Sequence, residues 1–227
     1  MTITTDVRYV LFDVDGLLLD TEVIYTEVTQ DIVSRFGKTF DWSIKANMLG
    51  RAEIESSRYL VETLDLPMTP EEYLHERNDM LRAGFARCNA MPGAEKLVRH
   101  LQSHDIPIAV ATSSTEELFE IKKSGHTAWF DLFDAFVTSN DPDVRAAKPA
   151  PDIFQTAAAK IGATADSTLV FEDAPSGLAA GIAAGMRVIA VPDPNMDKTR
   201  YLGATEILES LEQFVPDQYN LPAYQQG

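Results

Sequence analysis

Asp13 and Asp15 stand two residues apart just beyond the short apolar run Tyr9–Phe12, in the stretch Asp13-Val14-Asp15-Gly16. Side chains two apart on an extended chain project to the same side, so both carboxylates face one cleft. Two acids placed there suit a metal ion and a division of labour: one oxygen attacks phosphorus, and the other acid protonates the leaving oxygen. The same residues also read as a turn, because Asp-Gly between the apolar runs Val10–Phe12 and Leu17–Leu19 is a strong hairpin signal. Both readings hold if the turn begins past the carboxylates.

Three later segments carry complementary chemistry. In Ala111-Thr112-Ser113-Ser114, Ser114 and Glu117 have the spacing of a capping box. A helix N-terminus with free N–H groups and hydroxyls is an anion site, whereas capping alone would account for Ser114 and leave Thr112 idle. Lys148, just before Pro149-Ala150-Pro151, is either a point charge delivered to a phosphate or a solvated surface lysine. Glu172-Asp173 precede Ala174-Pro175-Ser176-Gly177. These acids either complete the oxygen shell of a hard cation such as Mg²⁺ or are solvated, with Asp173 or Ser176 capping a helix. Glycines at Gly177, Gly181 and Gly185 fit close packing of that helix on a sheet.

The elements that must position these groups follow from periodicity. Tyr9–Phe12, Ile106–Ala111, Thr168–Phe171 and Val188–Val191 read as buried parallel strands, with Ala135–Thr138 a weaker candidate. Gly93–His104 and Asp152–Ile161 have apolar residues three and four apart, as helices do. Strands alternating with helices predict a Rossmann-like, doubly wound α/β core with a parallel sheet. The acid pair, the hydroxyls, the lysine and the second acid pair then all fall at or just past strand ends, on one edge. The alternation breaks over residues 21–89. There Glu22–Phe36, Ala52–Leu64 and Pro70–Ala86 read as helices, separated by loops around Gly37–Asp41 and Asn47–Arg51 and by the Leu66-Pro67 break. The expected organisation is a core of residues 1–20 and 90–227 with an all-α insertion at 21–89, Ala90–Gly93 serving as the return hinge and Asn220–Gly227 frayed.

Bulk properties narrow the function. The 227 residues include 19 basic and 35 acidic side chains, a formal charge of -16 that disfavours nucleic acid and anionic lipid as partners. Cys88 is the only cysteine, so an intrachain disulfide and multi-thiolate zinc are excluded. His75, His100, His104 and His126 have no metal-ligand spacing and are assigned no chemistry. No signal-like leader and no run of about 18 apolar residues is present. The expectation is a soluble, cytoplasmic protein, monomeric or weakly dimeric.

With those residues in view, the sequence resembles the haloacid dehalogenase superfamily: Asp13-Val14-Asp15-Gly16, Thr112, Lys148-Pro149 and Glu172-Asp173 look like its four motifs, and the all-α insertion like its helical cap. FDVDGLLLDTE, MPGAEKL, IPIAVATSS, FEDAPSG and the LPAY tail are most similar to its pseudouridine-5'-phosphatase and glycerol-phosphatase branch. The resemblance implies Asp13 as nucleophile and Asp15 as general acid, then base. It implies that Thr112, Ser113 and Lys148 hold the phosphoryl group and that Gly50 and Arg51 form a substrate-facing cap loop. Mg²⁺ would be bound by the Asp13 carboxylate, the Asp15 main-chain carbonyl and Asp173, with Glu172 a ligand or just behind one. The implied substrate is a small phosphorylated metabolite, pseudouridine 5'-phosphate first. A sugar phosphomutase and a catalytically dead binding protein share the fold. The phosphomutases carry a histidine four residues after the threonine that follows the first motif, and that position, counted from Thr21, is Tyr25.

Overall fold

The computed structural model describes residues 6–48 and 53–225. The chain divides into two compact units, Met1–Asp20 with Asn89–Gly227, and Thr21–Cys88.

The first unit is built on a six-stranded parallel sheet: β1 (Tyr9–Phe12), β2 (Ile108–Ala111), β3 (Ala135–Val137), β4 (Thr168–Glu172), β5 (Arg187–Ala190) and β6 (Glu206–Ile207), in the order β3-β2-β1-β4-β5-β6. Each residue of β2 and β4 is buried, as expected for strands covered on both faces. Among the described residues, the α-helices of this unit are α5 (Ala94–Gln102), α6 (Glu116–Lys123), α7 (Thr127–Phe130), α8 (Asp152–Lys160) and α9 (Pro175–Ala183). Those of the second unit are α1 (Thr21–Ser34), α2 (Trp42–Met48), α3 (Glu53–Leu64) and α4 (Pro70–Phe85). Leu11, Val170 and Val188 of the sheet share one core with Phe154 of α8 and Leu178 of α9. β1 pairs with β2 on one side and β4 on the other, through Val10↔Ile108 and Val10↔Leu169. The strand order therefore reverses direction between β1 and β4, and the crevice beyond their carboxyl ends is the place where such sheets bind ligands.

In the second unit α4 packs on both α1 and α3. Its start is set by Thr69, whose hydroxyl accepts from the Glu72 N–H while the Glu72 carboxylate accepts from the Thr69 N–H, with Pro70 in the first turn. The Tyr73 hydroxyl meets Thr29 at 3.0 Å, joining α4 to α1.

Three local expectations are corrected, and one strand is found that the sequence reading did not cover. Asn47 lies in α2, a short helix in the stretch read between loops; with only Ile44 buried, it carries almost no apolar periodicity. β6 is two residues long and escapes any pattern. The helix after Thr112 is capped by Thr115 through Leu118 N–H, not by Ser114. The segment after Asn220 is docked over residues 220–224: Leu221 is buried, the Pro222 carbonyl meets His100 Nε2 at 2.7 Å, and the Tyr224 ring lies 4.4 Å from that of His100. His100 thus anchors the tail. No described helix is long and apolar enough to cross a membrane.

Candidate active site

Asp13 continues β1 for one more residue, its N–H donating to the Phe171 carbonyl at 3.1 Å. The chain then folds back: Leu18 and Leu19 N–H donate to the Val14 carbonyl at 3.0 and 2.9 Å, and Gly16 takes φ 79°, a conformation glycine adopts without strain. The Asp-Gly turn and the acid pair therefore coexist, but the turn closes on the Val14 carbonyl, so it begins between the two acids and takes in Asp15.

Lys148 ties the first half of the site together. Its ammonium donates to Asp13 Oδ1 at 2.6 Å, Glu172 Oε1 at 2.7 Å and the Ala111 carbonyl at 3.0 Å, which uses all three of its protons. The groups converge because Asp13, Ala111 and Glu172 end three neighbouring strands, β1, β2 and β4. Phe154 of α8 lies under the ammonium, 4.8 Å from ring centroid to Nζ. Burial pushes the Asp13 carboxyl up to about 7, opposed by Lys148 and reinforced by the charges of Glu172 and Asp15. Burial lowers the Lys148 amine, but Asp13 and Glu172 outweigh it and its pKa is raised, so the lysine stays charged.

Glu172 is 1% exposed, and its second oxygen accepts from the Ala174 N–H at 3.0 Å. Asp173 follows on the same strand end, its carbonyl accepting from the Tyr201 hydroxyl at 2.5 Å. Asp13, Glu172 and Asp173 each offer a carboxylate oxygen, and these atoms lie within 4.8 Å of one another. Three carboxylates against the single ammonium of Lys148 leave an excess of negative charge on hard oxygen donors, the donor set that Mg²⁺ prefers. The residues present fit the ion.

The Asp15 carboxylate is engaged separately. Its Oδ1 accepts from Lys122 Nζ at 2.5 Å, and its Oδ2 accepts from the Ser114 hydroxyl at 2.9 Å and from Thr112 Oγ1 at a longer 3.5 Å. Lys122 also donates to Ser114 Oγ at 2.7 Å, and the Ser114 N–H donates to Thr112 Oγ1 at 3.0 Å. Thr112 is fully buried, whereas Ser113 is exposed at the loop tip. Lys122 was missed by the reading of the sequence, which took its only site lysine from the segment before Pro149. A signal exists: Lys122 lies three residues after Phe119 on α6, on the face that is otherwise apolar and buried.

Gly50 and Arg51 lie outside the described residues. Within the second unit, a cavity of about 150 Å³ is lined by Tyr25, Thr26, Lys45, Glu53, Ser56 and Arg77, among others. Among the described lining residues, Lys45 pairs with Glu22 at 2.9 Å and Arg77 with Glu53 at 2.9 Å.

The chain is similar to known proteins in sequence and in fold. The (DL)-glycerol-3-phosphatase 2 of Arabidopsis thaliana is 42% identical over 224 residues, covering 96% of this chain and 93% of the relative. A Drosophila melanogaster protein named "Probable pseudouridine-5'-phosphatase" is 41% identical over 221 residues, covering 96% of each chain. In fold, the chain is similar to a crystal structure of a hydrolase from Deinococcus radiodurans R1 with bound phosphate and sodium, at TM-score 0.83 and 24% identity, over 96% of this chain and 99% of that one. Residues 10–191, which run from β1 through the last acid pair to the end of β5, match the haloacid dehalogenase-like hydrolases, and the chain belongs to that family.

Proposed function

We propose that the chain is a Mg²⁺-dependent phosphatase that hydrolyses a small phosphorylated metabolite through a phosphoryl group carried on Asp13. The observation that carries this reading is the buried Lys148, which binds Asp13 and Glu172 at 2.6 and 2.7 Å beside the third acid, Asp173. A carboxylate repels a phosphate monoester, and a site that attacks one needs fixed positive charge at the nucleophile. Mg²⁺, held by the Asp13 and Asp173 carboxylates and the Asp15 main-chain carbonyl, would supply further positive charge to the phosphoryl oxygens. Glu172, whose oxygens already take Lys148 and the Ala174 N–H, orients the lysine and backs the ligand set. An Asp13 carboxylate oxygen forms the bond to phosphorus while Thr112, Ser113 and Lys148 hold the phosphoryl oxygens. Asp15 protonates the leaving oxygen and then takes a proton from the attacking water. The helical unit, Thr21–Cys88, serves as the cap that selects the leaving group.

The substrate class is drawn from the phosphatases the chain resembles. Pseudouridine 5'-phosphate is the first candidate and glycerol 3-phosphate the second. The test is a panel of both, with glucose 6-phosphate, a sugar bisphosphate and 4-nitrophenyl phosphate, assayed with Mg²⁺ for phosphate release. Highest kcat/KM on one of the two candidates is expected; preference for the bisphosphate overturns the substrate class, and no release from any compound overturns the phosphatase.

A further inference from the structure

Lys122 lies in none of the four motif segments, and it comes from a helix, α6, not from a strand end. It is 1% exposed. An ammonium is kept in such a place only when it is paired and hydrogen-bonded, since its desolvation costs several kcal/mol. Its partner is the Asp15 carboxylate at 2.5 Å, and the Ser114 hydroxyl, 2.7 Å from the ammonium and 2.9 Å from Asp15, closes a triangle. Both Asp15 oxygens are therefore held, one by Lys122 and the other by Ser114 with Thr112. The two acids of the first motif are thus served by two buried lysines, Asp13 by Lys148 and Asp15 by Lys122.

We propose that Lys122 is the positioning residue of Asp15. It fixes the carboxylate in the orientation from which a proton reaches the leaving oxygen, and it stabilises the negative charge left on Asp15 as the proton departs. This rests on the phosphatase reading above and concerns its proton transfers alone. In the first step the bond from Asp13 oxygen to phosphorus forms, the bond from phosphorus to the leaving oxygen breaks, and the Asp15 proton goes to that oxygen, releasing an alcohol. In the second step water oxygen bonds to phosphorus, the Asp13–phosphorus bond breaks, and a water proton returns to Asp15, releasing inorganic phosphate. Lys122 touches neither phosphorus nor the leaving group; it acts through Asp15.

The dependence on leaving group separates this role from a general structural one. Lys122→Met keeps the length of the side chain and removes its charge. kcat/KM, which reports events through phosphoenzyme formation, is measured for 4-nitrophenyl phosphate, whose leaving group departs as a stable anion. It is measured also for the alkyl phosphate of the panel that the unaltered protein turns over best, whose leaving oxygen needs the proton. A loss of ~10²-fold or more on the alkyl phosphate, with less than about 10-fold on the nitrophenyl ester, is expected, since general acid catalysis contributes ~10²–10⁴-fold. Should Lys122→Met not fold, Ser114→Ala, which opens the same triangle, is read by the same split at smaller amplitude. Equal losses on both substrates, or no loss on either, overturn the proposal while leaving the phosphatase standing. Absence of phosphate release from every compound of the panel by the unaltered protein overturns both.

Discussion

A Cβ on Gly177 would fall inside the carboxylate of Glu172. The second residue of interest, Glu172, cannot swing aside without loss, because its oxygens hold Lys148 and the Ala174 N–H. Gly177, in the first turns of α9, is therefore absent of a side chain for the sake of the acid that orients Lys148. In an ordinary helix interior Gly→Ala stabilises by ~1 kcal/mol. Here Gly177→Ala is expected to lower the melting temperature and to cut kcat by ~10²-fold or more, since displacement of groups in a site by about 1 Å costs that much. Thermal unfolding and steady-state kinetics check both.

Asp13→Asn is expected to abolish turnover, by ~10⁴–10⁶-fold, because an amide is no nucleophile and the groups of such a site act as a unit. Circular dichroism should show the fold retained, and kinetics with more than a tenth of normal activity would refute the role given to Asp13.

The same variant has a signature in the pH dependence of stability. The Asp13 carboxyl, ordinarily at 3.8, is pushed up to about 7 by burial, so without divalent metal the folded chain holds this proton more tightly than the unfolded one. Its contribution to stability is fully present below 3.8 and is lost as pH rises through about 7. Melting curves of the metal-free protein should show that decline, and Asp13→Asn should flatten it.

Mg²⁺ is expected to raise the melting temperature and to be required for turnover; a chelator removes activity, and Mg²⁺, not Ca²⁺, restores it, because Ca²⁺ takes more ligands at longer distances. Asp173→Asn should weaken the Mg²⁺-induced thermal shift. Full turnover in excess chelator would refute the metal assignment.

Tyr25 packs edge-on against Phe85, ring centroids 5.3 Å apart, at the position where the resemblance places a histidine in the phosphomutases. A phenol titrating near 10 is a poor substitute for an imidazole in proton transfer near neutral pH. With β-glucose 1-phosphate and a trace of the bisphosphate, phosphate release should outpace formation of glucose 6-phosphate, as followed by coupled assay.

Much of the site was legible because Asp13, Thr112 and Glu172 lie at or just past strand ends, where a linear pattern of apolar runs marks the position of each. Lys148 could be read because of its place before Pro149. Lys122 could not be found that way: its link to Asp15 spans 107 positions and depends on how α6 is rolled against the sheet, which periodicity alone does not fix. Thr115 displaced Ser114 as the helix cap because Ser114 is drawn inward by Asp15 and Lys122. In the fold, α2 and β6 were illegible because one buried residue and a two-residue strand leave no pattern to detect. The docked tail was read as frayed because its anchor, His100, is distant in sequence.

The pairing of β1 bears on how the chain acquires its shape during synthesis. Tyr9 lies opposite Thr168, the Val7 N–H donates to the Tyr219 carbonyl at 3.3 Å, and Asn220 Nδ2 donates to Asp6 Oδ1 at 2.7 Å. The strand that leads into Asp13 is made well before β4, so it gains one neighbouring strand only after β4 has been made, and its clasp at residues 6 and 7 later still. Until then an apolar strand stands with an open edge, a state prone to association with other chains. The helical unit, Thr21–Cys88, made of segments close in sequence, can fold in the interval, before the sheet that carries Asp13 is closed.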